Sequence, residues 1–323
     1  RGARGGGGGG WAAAGALQGL GGRARASDAL AALPFCLFWV AARVLVERAS
    51  GELGRRLLFP AAKPAKAGKK PKRRTKRVAA KDARRLEKFQ ESVWKLFAYG
   101  SLVAYGAWVV HDEPWTYDSA SFWGGGACPR FCREWPACSV VQYKESVKLY
   151  YAAELGFYLT GIVMLLVWET RRRDFPVMLA HHLVTVALLV ASHRVSLLRV
   201  GTVIMLLHDV SDIFLEAAKM LNYARWEEGS TAMFAAFTVS WIATRLVYFP
   251  FYVIRSAMFE AHTNCPRKSI PNFEAFYYGF NSLLLALCSF HIYWTYLIFL
   301  TLWRKLAVGR IKDSREFGDS DSD

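Results

Sequence analysis

The stretch PVMLAHHLVTVALLV (residues 176–190) decides how this chain folds. It is apolar throughout except for two adjacent histidines, His181 and His182. The next apolar stretch, VGTVIMLLHDVSDIFLEAA (200–218), repeats the pattern with His208, Asp209 and Asp212. Ionisable groups inside membrane-length apolar segments are costly, and they mark functional sites. Two such knots on consecutive segments predict a reaction centre within a bilayer.

Outward from these two, seven apolar segments approach the ~20 residues that a helix needs to cross a membrane. They run over 29–46, 94–110, 147–168, 176–192, 197–217, 231–254 and 276–303. The expected fold is all-α, a polytopic membrane helical bundle of about seven transmembrane helices. Pro34 and Arg43 interrupt the first segment. Trp94, Trp168, Tyr248 and Trp303 fall near segment ends, where an interfacial aromatic belt would put them. Hydrophobic residues make up 53% of the chain and mean hydropathy is +0.14 despite 42 Lys and Arg, which argues against an ordinary soluble domain.

The expected organisation is a disordered Gly/Arg-rich lead (1–28), a first transmembrane helix (29–50), a basic loop (51–90), the main membrane domain (91–305) and an acidic tail (306–323). Fifteen of the basic residues lie between Arg55 and Lys88. Such a run in isolation suits nucleic acid. Between membrane spans it reads instead as a cytosolic loop drawn to anionic lipid headgroups. No nucleic-acid partner is expected. With this loop in the cytosol, Arg171, Arg172 and Arg173, the Lys219/Arg225 turn and the C-terminal tail share its side, as the positive-inside rule requires. The N-terminus is then luminal and the C-terminus cytosolic. Cys128, Cys132, Cys138 and Cys265 fall on the luminal side, where disulfides are permitted and their pairing is open.

That orientation gives the polar knots a common depth. His181 lies five residues into its span, roughly 7–8 Å at the helical rise. Asp209 and Asp212 lie comparably close to the cytosolic end of theirs. Consecutive helices joined by a short turn are normally neighbours, so the knots can face one another. His208, Asp212 and Glu216 are four apart and form one stripe; Asp209 is on an adjoining strip. His181 and His182 point roughly 100° apart, so one is expected to face the site while the other orients it or packs. Thr185 lies one turn beyond His181.

A buried imidazole beside a carboxylate is equipment for general-base or nucleophilic work. The competing reading is interhelical hydrogen-bond glue. A metal reading would use three imidazoles and a carboxylate. The HxxxH and HxxHH boxes of membrane di-iron enzymes are missing from this chain of seven histidines, so no metal is expected.

WETRRRDF (168–175), VMLAHHLVT (177–185) and LHDVSDIFLEAAK (207–219) resemble the longevity-assurance motif of ceramide synthases. SWIATRLVYFPF (240–251) and FNSLLLALCSFHIYW (280–294) extend the resemblance over about residues 86–310, the reach of a TLC domain. It is closest to the plant branch, which also lacks a homeobox-like insert. The resemblance implies a sphingoid-base N-acyltransferase of the endoplasmic-reticulum membrane, with fatty acyl-CoA as co-substrate, a long-chain base as acceptor and no bound cofactor. His181, His182, His208, Asp209 and Asp212 would form the catalytic set, with His181 favoured as the residue that is acylated. Arg171, Arg172, Arg173 and Thr185 would contact substrate, and homo- or heterodimers are compatible with such a bundle. The alternative is a non-enzymatic TLC-domain protein that binds, senses or moves lipid; retention of all five polar residues separates the two.

Overall fold

The computed structural model describes residues 30–59, 76–123, 143–195, 197–264 and 272–308. Cys128, Cys132, Cys138 and Cys265, residues 60–75 of the basic run and residues 309–323 of the acidic tail lie outside the described residues.

Seven long helices account for nearly all of the described chain. They are α1 (Ala32–Leu58), α2 (Lys76–Val110), α3 (Glu145–Val167), α4 (Phe175–Arg194), α5 (Leu198–Tyr223), α6 (Glu227–Trp241) and α7 (Phe273–Val308). The axis of α6 continues as a wider π-helical stretch, Ile242–Ile254, and then Ser256–Glu260. Two short 3₁₀ turns, Pro114–Thr116 and Ser119–Trp123, follow α2. Local chemistry sets the helix ends. Pro176 sits in the first turn of α4, where no donor is needed. Glu227 and Glu228 open α6, favourably placed against the helix dipole. Arg225, with φ 61°, supplies the left-handed residue that ends α5.

Five helices are long and apolar enough to cross a membrane: α2, α3, α4, α6 with its continuation, and α7. Their outward faces carry large apolar side chains, such as Val167 (77% exposed) and Phe251 (71%). That surface suits hydrocarbon rather than water. The other two, α1 and α5, carry charged residues within their apolar stretches. Helix α5 packs against α2, α3, α4, α6 and the π-helical stretch, so protein surrounds its polar groups.

Helix α1 packs on α2 and α3. Close approach rests on Gly156, where a Cβ would lie 2.7 Å from Phe35 Cβ and 3.0 Å from the Ala32 carbonyl. Trp39 Nε1 donates to the Ala153 carbonyl at 3.0 Å, and Thr160 Oγ1 donates to that of Cys36 at 3.5 Å. Small residues and hydrogen bonds are what join helices where no hydrophobic force acts between them. Neither Pro34 nor Arg43 interrupts α1. Pro34 stands in its first turn, where a missing N–H costs nothing. Arg43 is buried, bonded to Glu47 at 2.8 Å, 3.6 Å from Glu169 and stacked 4.9 Å over Trp168.

Gly156→Ala should therefore destabilise the bundle by about 1–3 kcal/mol through overpacking against α1. Gly100→Ala, where a Cβ meets nothing within 4 Å, should be neutral or slightly stabilising. Thermal unfolding of the two variants in detergent checks the contrast.

Candidate active site

A cavity of about 270 Å³ opens between the helices, and its wall changes character along its length. One end is charged. Lys95 bonds Glu169 at 2.7 Å and Glu91 at 3.0 Å, and Arg172 reaches Glu91 at 3.2 Å. Glu216 and Lys219 of α5 pair on the same rim. His181, His182 and Asp212 share the same wall. Apolar and aromatic side chains line the rest, with Trp39 and Phe157 on one side and Phe234, Phe237 and Ile298 on the other.

Both imidazoles of α4 border the cavity, although their Cα–Cβ bonds diverge. Their rings meet edge to face at 5.7 Å, and Tyr158 packs against both. His182 Nδ1 is 2.9 Å from the Met178 carbonyl and must donate to it, which leaves a lone pair on Nε2. Gly161 makes room for that ring, since a Cβ there would be 3.1 Å from His182 Nε2. His181 is held differently. Its Nδ1 has no hydrogen-bond partner, and its ring rests edge-on against Trp294 at 5.2 Å. Trp294 is fixed in turn by donating Nε1–H to buried Asp174 at 3.1 Å. Among the described residues no hydrogen bond fixes the tautomer of His181.

His208 and Asp209 lie one layer behind. His208 donates from Nδ1 to the Ile204 carbonyl at 2.6 Å, and its Nε2 is 3.0 Å from Nε2 of His291 on α7. Because the Nδ1 bond uses the proton of a neutral ring, His291 donates in that contact. Arg245 closes the cluster from the π-helical stretch. Its Nη2 donates to the His208 carbonyl at 2.6 Å and to Ser211 Oγ at 3.0 Å, and lies 3.5 Å from Asp212 Oδ1. Its guanidinium stacks 4.7 Å over Trp241. Asp209, with no exposed surface, turns toward Glu154 of α3, which is equally buried.

The predicted substrate contacts also separate. Arg172 is in the cavity wall. Arg171 stacks on Phe175 outside it, and Arg173 is on the surface. Thr185 is buried away from the cavity. Arg245 and His291 are the residues that the polar-knot reading missed. Each is a lone basic side chain in an apolar run, and its partner lies 37 or 83 residues away in sequence. The usable signal was burial cost, because a lone Arg in a membrane-length apolar segment needs partners as much as a histidine pair does.

Fold and site together define a multi-pass helical membrane protein with imidazoles and a carboxylate in the wall of an interior cavity. The family model of the TLC domain matches residues 88–300, and the chain belongs to that family. It is 40% identical over 241 residues to "Ceramide synthase LOH2" of Arabidopsis thaliana, covering 74% of this chain and 77% of the relative. It is 36% identical over 286 residues to "ASC1-like protein 1" of Oryza sativa subsp. japonica, covering 87% and 86%. With "Ceramide synthase hyl-1" of Caenorhabditis elegans it shares 34% identity over 241 residues, 72% of this chain and 61% of the relative.

Arg245→Ala removes the guanidinium from the His208 carbonyl, the Ser211 hydroxyl and the Asp212 carboxylate at once. It should cost about 3–5 kcal/mol, the loss typical of breaking a buried ionic cluster. Arg245→Lys should recover part of this, since an ammonium lacks the planar fork that serves three acceptors. Unfolding midpoints in detergent distinguish the three proteins.

Proposed function

We propose that the protein is a sphingoid-base N-acyltransferase, a ceramide synthase of the endoplasmic-reticulum membrane. It joins the acyl group of fatty acyl-CoA to the amine of a long-chain base such as sphinganine or phytosphingosine. The observation that carries this reading is that His181, His182 and Asp212 line one cavity together with a charged group and with apolar side chains. An amphipathic thioester needs all three surroundings, and the relatives' names supply the acceptor class.

The charged end faces the cytosol in this reading, where acyl-CoA is made, with the N-terminus luminal and the C-terminus cytosolic. Arg171, Arg172 and Arg173 stand beside that end and would draw the CoA phosphates by charge. No bound cofactor or metal is required. The thioester carbonyl then lies at the imidazoles. In the direct route the amine nitrogen attacks that carbon, the C–S bond breaks, and an imidazole moves the amine proton to the departing thiolate. In the covalent route His181 attacks first and gives an acyl-imidazole as CoA leaves with a proton. The amine then displaces the imidazole and forms the amide. His182, with its Nε2 lone pair fixed by the bond to Met178, is the base in either route. Asp212 would receive and orient the amine, held by Arg245. His208, Asp209 and His291 would support this set from behind without touching substrate.

Purified protein supplied with acyl-CoA and sphinganine should form the amide. His182→Ala and Asp212→Asn should lower kcat by about 10²-fold or more while the proteins remain folded. Acyl-CoA without base should leave a hydroxylamine-sensitive acyl-enzyme that is missing from His181→Ala; a clean rapid-quench experiment with no such species selects the direct route. Folded wild-type protein that binds lipid but makes no amide would overturn the enzymatic reading.

A further inference from the structure

Helix α1 lies wholly outside the matched family region, residues 88–300, yet it supplies part of the cavity wall. The contributing side chain is Trp39, which is 3% exposed. It is held on several sides. Its Nε1 bonds the Ala153 carbonyl at 3.0 Å, and its ring packs edge to face on Trp94 at 6.0 Å and Phe157 at 5.4 Å. Four residues on, Arg43 reaches toward Glu169 at the charged rim, which fixes the depth of α1. Trp39 is thus a rigid surface.

Helix α3 serves as a ruler for where that surface lies. Glu169, just past its end, belongs to the charged rim. Gly161, eight residues earlier and roughly 12 Å along the axis, touches the His182 ring. Phe157, against which Trp39 packs, is a further turn in the same direction. A thioester with its polar part at the charged end and its carbonyl at the imidazoles sends its hydrocarbon tail toward this aromatic wall. Among the described residues, α1 packs only on α2 and α3, so Trp39 stands at that edge of the bundle.

We propose that Trp39 is a specificity-determining residue that limits the length of the fatty acyl chain by closing the cavity on the α1 side. This rests on the acyltransferase reading above. Shortening the indole opens space between α1, α2 and α3 in line with the tail, and each methylene newly buried there favours the longer substrate.

The test is a set of competition assays with saturated acyl-CoAs of increasing length and one long-chain base, using the full chain. Trp39→Ala should raise the ratio of long-chain to short-chain kcat/KM by about fourfold for each additional methylene accommodated. Trp39→Phe, which keeps most of the ring packing, should shift the ratio in the same direction by less, and provides the readout if the alanine variant does not fold. Leu37→Ala, on the exposed face of α1, controls for general disturbance of the helix and should keep the wild-type profile. Folded Trp39 variants with a wild-type length profile would overturn the proposal. Failure of the wild type to form amide from any acyl-CoA would instead overturn the acyltransferase reading.

Discussion

A guanidinium buried among transmembrane helices must have its donors met by protein, and the deep part of this bundle is arranged around that requirement. Arg245 takes the carbonyl of His208, the Ser211 hydroxyl, the Asp212 carboxylate and the face of Trp241. Those partners fix the rotation of α5 relative to the π-helical stretch. The same contacts decide which side of α5 meets the cavity, so Asp212 fronts it while Asp209 turns to α3. A wider helical turn carrying Arg245, with donorless Pro250 in the same stretch, fits the tendency of π-geometry to occur at functional positions.

A second charged assembly performs a different task at the rim. Arg43, Glu169, Lys95, Glu91 and Arg172 form an unbroken chain of opposite charges from α1 through α2 to the α3–α4 connection. Glu169, Lys95 and Glu91 each meet two opposite charges, so the loss of one weakens the chain on both sides of it. The chain also couples α1 to the connection that leads directly into the histidine pair.

Much of this architecture was legible in the primary structure, and the failures have physical causes. The expected span 176–192 became Phe175–Arg194, because Pro176 starts the helix and a continuous apolar run carries it. The expected span 94–110 became Lys76–Val110, because hydropathy detects the membrane-crossing part of a helix and not its charged extension. Helix α1 likewise continues past residue 46, supported by pairs such as Arg56 with Glu52. The clustered His181–His182 and His208–Asp209 knots were readable because each repeats a costly event within one segment. Arg245, His291 and Trp39 were not, because their roles depend on partners distant in sequence. The divergence of adjacent side chains suggested that one imidazole of the α4 pair would face the site. Both imidazoles line the cavity, together with Tyr158, which packs against each.

Gly161 has a consequence for inherited variation. The backbone passes so near His182 that the smallest side chain would have to push the ring aside by a few tenths of an ångström. Displacements of this size lower rates when reacting atoms must meet at fixed separations. A conservative-looking alanine there could leave a protein that folds, inserts and accumulates normally while its chemistry is impaired, a lesion invisible to any screen that reports abundance alone.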